Sequence, residues 1–236
     1  MLTALCVPRA HAASDQDKIL CRPELAGARR QEVAARLREI TDWSGLSFDA
    51  DGALRFGEAR AEGGSRTARE LLAKAARGDI LILLEDASAS ANVVFSRVVE
   101  GRWTKNAGTK PRVLIVQMDF ADFARVKGDR GALASFNVGW ALLHEISHAV
   151  NDSADTERAG ETGECEALVN QMRRECGLAE RAEYHFHYMP GLERSEFKTR
   201  YVRLAFEQHQ PSTNKKRRLW IIWDADAVGG LTRQKN

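Results

Sequence analysis

The sequence has little of what would staple or anchor a chain. Four cysteines among 236 residues include no CxxC pair, which argues against a cysteine-based structural zinc site. Cys165 and Cys176 stand eleven residues apart in a segment that reads as one helix. That is roughly 16 Å along the axis, too far for a disulfide, so both read as small core residues. Cys6 and Cys21 are able to pair, although nothing requires it, and the usage is compatible with a reducing compartment. No run approaches about 18 consecutive apolar residues, so no transmembrane helix is expected. Charge of one sign is lacking too. Thirty-five Lys and Arg against 33 Asp and Glu leave +2, which gives no support to nucleic-acid binding as the main role. With 44% hydrophobic and 29% charged residues and only five prolines, collagen, coiled-coil rods and wholly disordered chains are excluded. The chain is long enough to bury a core without disulfides.

The coarse layout is mixed α+β, with sheet first and helices later. Residues 1–27 read as an N-terminal tail, either disordered or the remnant of a secretory signal, since Ala10-His11-Ala12 has the small-x-small form of a cleavage site. Residues 28–236 read as a single domain. Val33, Leu37 and Ile40 mark a helix over 28–40. Leu46, Phe48, Leu54 and Phe56 alternate around Asp49-Ala50-Asp51-Gly52, as in a hairpin. Ser65 caps a helix that stops at Gly78. Strands are expected at 79–84, 92–103 and 113–118, with a turn at Asn106-Ala107-Gly108 between the last two. Residues 119–134 read as a loop with helical turns, 135–150 and 164–176 as helices, and 219–223 as a late strand. Lys215-Lys216-Arg217-Arg218 reads as a solvated turn.

One motif carries chemistry. Residues 144–148 read His144-Glu145-Ile146-Ser147-His148, the HExxH pattern. On a helix, positions four apart share a face, so both imidazoles can reach one zinc ion. Glu145 sits about 100° around the helix from His144, where it can take a proton from zinc-bound water. Val138, Leu142, Leu143, Ile146, Ala149 and Val150 form an apolar arc for the core, and Ser135 or Asn137 can cap the start.

Two histidines rarely complete a catalytic zinc site; a third protein ligand is expected. The longer HExxHxxGxxH pattern is absent, because Ala154 stands where its last histidine would be. A glutamate on the next helix is the alternative. Glu166 is the first candidate and Glu164 the second, with Glu161, Glu157 and Asp152 behind them. Asp152 and Asp155 read as loop residues. Asn170, one turn after Glu166, can orient a metal-bound histidine. Tyr184, His185 and His187, in the run Tyr184-His185-Phe186-His187-Tyr188, are candidates to donate to a developing oxyanion.

With these segments, the sequence resembles the gluzincin-like zinc metallopeptidases, and within them the HExxH domains associated with bacterial effectors and toxins. The resemblance runs over residues 46–181. It rests on Ala141-Leu142-Leu143-His144-Glu145-Ile146-Ser147-His148-Ala149 and on Glu164-Cys165-Glu166-Ala167, followed by Asn170, Arg173, Glu175, Gly177 and Leu178. It implies a zincin-like fold: a small mixed sheet, an HExxH helix and a following Glu-bearing helix. It also implies a zinc-dependent peptidase with His144 and His148 as ligands, Glu145 as base, a downstream Glu as third ligand and one Zn²⁺ per chain. The expected partner is a protein or peptide substrate, and a monomer is expected, with no nucleic acid and no membrane span. The compartment stays open between the cytoplasm and export from a bacterium. Two alternatives remain: a zinc hydrolase acting on another bond, and a non-catalytic binding protein stabilised by metal.

Overall fold

Apolar runs in the first half of the chain pair into one sheet. In the computed structural model, which describes residues 18–57, 61–90, 92–101, 112–189, 201–210 and 213–229, β1 (Ile19–Cys21), β4 (Ile80–Asp86) and β6 (Arg112–Met118) run parallel. β5 (Ser96–Glu100) lies antiparallel to β6 at the edge, giving the order β1-β4-β6-β5. Ile82, Leu84, Leu114 and Val116 form the face buried in the main core, while on the opposite face Leu81 and Val113 are buried and Leu83 and Ile115 half-buried. The hairpin β2 (Ser47–Phe48) and β3 (Leu54–Arg55) turns where Asp49 Oδ1 accepts from the backbone N–H groups of Asp51 and Ala53.

The cover consists of α1 (Gly27–Thr41), α2 (Arg66–Arg77), α5 (Val138–Asn151) and α6 (Gly163–Glu175). The predicted stripe of α1, Val33, Leu37 and Ile40, is buried. Ser65 caps α2 by accepting from the Ala68 N–H. Asn137 rather than Ser135 caps α5, its Oδ1 accepting from Gly139 and Trp140. Helix α5 packs against α1, α2 and α6 and against the sheet. Gly139 permits its close approach to α1, since a Cβ there would lie 2.7 Å from Arg36 Cβ.

Between β6 and α5 run α3 (Phe120–Arg125), β7 (Lys127–Gly128) and α4 (Arg130–Ala134). The C-terminal half adds an antiparallel sheet. Here β10 (Tyr201–Gln210) and β11 (Lys215–Asp224) form a long ribbon flanked by β7, β8 (Glu180–Arg181) and β9 (His187–Tyr188). Val202, Leu204 and Phe206 alternate inward with Leu219, Ile221 and Trp223, making a second core. The described residues are thus α+β, with two small sheets and a two-stranded hairpin. Among the described residues no helix is long and apolar enough to cross a membrane.

Two expectations are corrected. The expected tail 1–27 overlaps the fold: β1 pairs with β4, and Leu25 is fully buried, because Ile19, Cys21 and Leu25 have an apolar sheet face to cover. Ala10-His11-Ala12 and Cys6 lie outside the described residues, as do Trp103 and the Asn106-Ala107-Gly108 turn. The basic run 215–218 is not a turn. It is the first part of β11, solvated but paired in register with 207–210; Lys216 meets Glu207 at 3.0 Å and Arg218 meets Glu183 at 3.5 Å. Opposite charges across the ladder make a strand out of a sequence that reads as loop.

Glu175, at the end of α6, binds the start of α2. Its carboxylate accepts from Ser65 Oγ, Thr67 Oγ1 and the Thr67 backbone N–H at 2.6, 2.6 and 2.9 Å. Burial works against its charge, but these donors and the helix N-terminus win and hold its carboxyl down at about 2. Discounted for its solvent exposure, Glu175→Gln is expected to cost about 1 kcal/mol at neutral pH. A depressed carboxyl stabilises the fold above its unfolded pKa and loses that contribution as pH falls through the folded value. Urea denaturation should therefore show the full difference above about pH 4.5, shrinking toward about pH 2. A difference independent of pH would remove the charge from this account.

Candidate metal centre

Helix α5 brings the two histidines together as its spacing requires, but on a buried face. His144 and Glu145 are 9% and 5% exposed, so they are not a solvated helix surface. The imidazole Nε2 atoms of His144 and His148 lie 3.2 Å apart. A carboxylate closes the triangle: Asp155 Oδ1 is 3.2 Å from His144 Nε2, and Oδ2 is 3.3 Å from His148 Nε2. Behind the rings stand oxygen acceptors. The Ser153 carbonyl lies 2.8 Å from His148 Nδ1, and Glu166 Oε2 lies 3.4 Å from His144 Nδ1. The Ser153 carbonyl takes the Nδ1–H of His148, while His144 Nδ1 makes no hydrogen bond, Glu166 Oε2 being its nearest acceptor; with protons on Nδ1, both Nε2 lone pairs would face Asp155.

Such a set is repulsive without a positive charge at its centre. Two lone pairs and a carboxylate converge, and Asp155 Oδ1 is buried without a hydrogen-bond partner. Proton affinity shows the same demand. Burial would raise the Asp155 carboxyl, yet the two imidazoles and Tyr184 hold it far below the carboxylate range. Asp155 raises His148 to about 11, and against the opposing effect of burial Asp155 and Glu166 raise His144 to about 9. A metal cation satisfies the same field. Tetrahedral bonds of about 2.0–2.1 Å put donors roughly 3.3 Å apart, which is the spacing seen here.

Cys165 completes a group of four whose donor atoms lie within 4.8 Å of one another and which could hold a metal ion. Its Sγ lies 3.2 Å from His148 Nδ1, behind the ring rather than with the Nε2 pair. Read from sequence as a core residue, it is fully buried, but against this centre.

The structure places the expected third ligand elsewhere. Glu166 is 1% exposed and ion-paired to Arg173 through Oε1 and, at 3.0 Å, to Arg181 through Oε2. Burial would raise its carboxyl; the two arginines and His144 hold it well below the usual range. Its charge is committed to cations already present, and it meets His144 on the Nδ1 side. Glu164 is exposed, its Oε2 accepting from the Ala154 N–H at 3.3 Å, so it ties down the connector. Glu161 and Glu157 are exposed, and Asp152 is the left-handed C-cap of α5.

Asp155 reaches the centre because the connector doubles back. Gly163 turns at φ +74°, and a Cβ there would lie 2.7 Å from the Thr156 N. The one signal available in the sequence was a carboxylate seven residues after His148, in a polar connector.

Asn170 does not touch either histidine. It accepts from Arg173 Nη1 and from the Arg181 N–H, both at 2.8 Å, and so holds the arginines that hold Glu166. Tyr184 is at the centre, its ring stacked 6.1 Å from His144 and its hydroxyl donating to Asp155 Oδ2 at 2.6 Å. His187 is away from it, 2.7 Å from Glu183. His185 lines a cavity of about 340 Å³ that also borders His144 and Glu145, and its Nε2 is buried without a partner.

Glu145 faces the same cavity. Ser96 Oγ, on the edge strand β5, donates to its Oε1 at 2.7 Å. Burial pushes the Glu145 carboxyl up, while His144, Ser96 and His148 pull the other way.

No family model, no curated protein and no solved structure matches the chain. The site defines a mixed α+β protein with a buried histidine–carboxylate–cysteine group able to hold a metal ion.

Proposed function

We propose that the chain is a zinc-dependent hydrolase of peptide bonds on a zincin-like fold. The observation that carries this reading is the triangle of His144 Nε2, His148 Nε2 and the Asp155 carboxylate at tetrahedral spacing, with Glu145 at its side. The small mixed sheet, the HExxH helix α5 and the Glu-bearing helix α6 support the fold reading. Nitrogen and oxygen donors in this set suit zinc.

His144, His148 and Asp155 would hold the ion, which supplies a Lewis acid and lowers the pKa of water. Glu145 does the proton work. Ser96 occupies Oε1, leaving Oε2 to receive the proton of the attacking water and pass it to the leaving amine. Burial, by raising the carboxyl, makes Glu145 a better proton acceptor than an exposed glutamate. The unpartnered ring nitrogen of His185, in the same cavity, suits the donor role toward the developing oxyanion. Tyr184 orients Asp155 through its hydroxyl.

Purified protein is expected to carry about one zinc per chain by elemental analysis and to cleave an unfolded protein such as casein. A chelator should abolish cleavage and added zinc restore it. Full activity after exhaustive chelation, or stoichiometric zinc with no cleavage of any unfolded protein, would overturn the proposal.

A further inference from the structure

The cavity beside Glu145 has a direction. Tyr188, Phe186 and Val94 at its rim are 67%, 46% and 46% exposed, whereas Trp140, Leu204 and Arg173 are 2%, 1% and 2% exposed and form its inner end. Between them the walls are aromatic. Phe95 packs edge-on against Phe136 and Trp223 at 5.0 and 5.2 Å, and Phe186 meets Trp223 at 5.6 Å. A cavity of about 340 Å³ walled largely by aromatic rings has room for one large aromatic side chain.

The inner end is not wholly apolar. The hydrogen bonds of Arg173 leave from Nε, to the Ser135 carbonyl, and from Nη1, to Glu166 and Asn170. Among the described residues Nη2 has no hydrogen-bond partner, although Arg173 is almost fully buried and borders the cavity. Nη2 is not among the sealed, unpartnered atoms, so its donor is open to an acceptor that enters the cavity. Glu166 and Arg181 border the same cavity as an ion pair, and an entering carboxylate would pay the desolvation of a full charge between aromatic walls. A neutral oxygen on an aromatic ring avoids that cost.

We infer that this cavity is the subsite for one aromatic side chain of a peptide substrate, and that Arg173 favours tyrosine by donating to its hydroxyl. The inference rests on the peptide-hydrolase reading for its placement: Glu145 and His144 form one wall, so the bound residue adjoins the bond under attack.

Two measurements test it. Ligand-observed NMR titration of the chelated protein with N-acetyl-tyrosine amide, and with its phenylalanine, glutamate and alanine counterparts, reads the subsite without metal or turnover. Tyrosine should bind roughly tenfold more tightly than phenylalanine and roughly a hundredfold more tightly than alanine, with glutamate near alanine. Ala225→Trp, which fills the wall from the turn after β11, should abolish tyrosine binding while the protein still takes up one zinc. In parallel, mass spectrometry of cleaved casein should place tyrosine, then phenylalanine, beside the cut bonds.

Equal binding of tyrosine and alanine, preference for glutamate, or tyrosine binding that survives Ala225→Trp overturns the subsite. Cleavage at bonds without a flanking aromatic residue overturns it too, while leaving the hydrolase standing. The expected ranking with no cleavage of any peptide would retain an aromatic-binding cavity and reject the hydrolase.

Discussion

Glu145→Gln is expected to lower kcat of the zinc-loaded protein by at least about 10³-fold while leaving its zinc content unchanged. The side chain is 5% exposed, and its Oε1 accepts from Ser96 at 2.7 Å. A glutamine keeps the shape and, through its amide oxygen, the bond to Ser96. It lacks the second acceptor oxygen and cannot carry a proton from water to the leaving nitrogen. Glu145 is outside the group of possible metal ligands, so metal binding should not respond. Elemental analysis and steady-state kinetics on the same preparation separate the two effects. A variant within tenfold of the parent would take Glu145 out of the proton path.

The second large effect separates Asp155 from Glu166. Asp155→Ala removes a donor from the triangle, and zinc affinity by competition with a chromophoric chelator is expected to fall at least about a thousandfold. That is beyond the 10–100-fold typical of residues that only orient a ligand. Glu166→Gln should fall within that smaller range, because it touches His144 Nδ1 and leaves the three donors in place. Its main cost lies elsewhere. Arg173 and Arg181 lose a buried counter-ion, and removing one partner of a buried pair costs about 3–5 kcal/mol, to be read as a loss of stability in urea. The reverse pattern, with affinity lost in Glu166→Gln and kept in Asp155→Ala, would return Glu166 to the role of third ligand.

That Asp155, and not Glu166, lies between the two Nε2 atoms has a physical origin. Position and residue type made both glutamates at the start of α6 plausible ligands, since a following helix can fold back on the first. What a sequence does not display is competition for a charge. Arg173 lies two helical turns after Glu166 and on its face, a spacing that could have warned of the pair, but Arg181 arrives from β8, outside the helix. Asp155 sits in an irregular connector, where no periodicity says which way a side chain faces, and only the turn at Gly163 brings it back over α5. Cys165 is one position before Glu166, and its burial was legible while its neighbour His148 was not.

Local chemistry determined by the sequence itself includes the α1 stripe, the Ser65 cap, the Asp49 turn, the apolar runs of β4 and β6, and the HExxH turn, while the choice of Asn137 over Ser135 as the α5 cap was left to the structure. Each depends on residues within a few positions, through helical or strand period and backbone hydrogen bonds. The tertiary structure alone decided the addition of β1 to the sheet, the pairing of the basic run into β11, the approach of Asp155 to the two histidines and the aromatic cavity beside Glu145. Those depend on groups far apart in the chain competing for the same partner, and the outcome is set by which charges and apolar faces packing brings within a few ångströms.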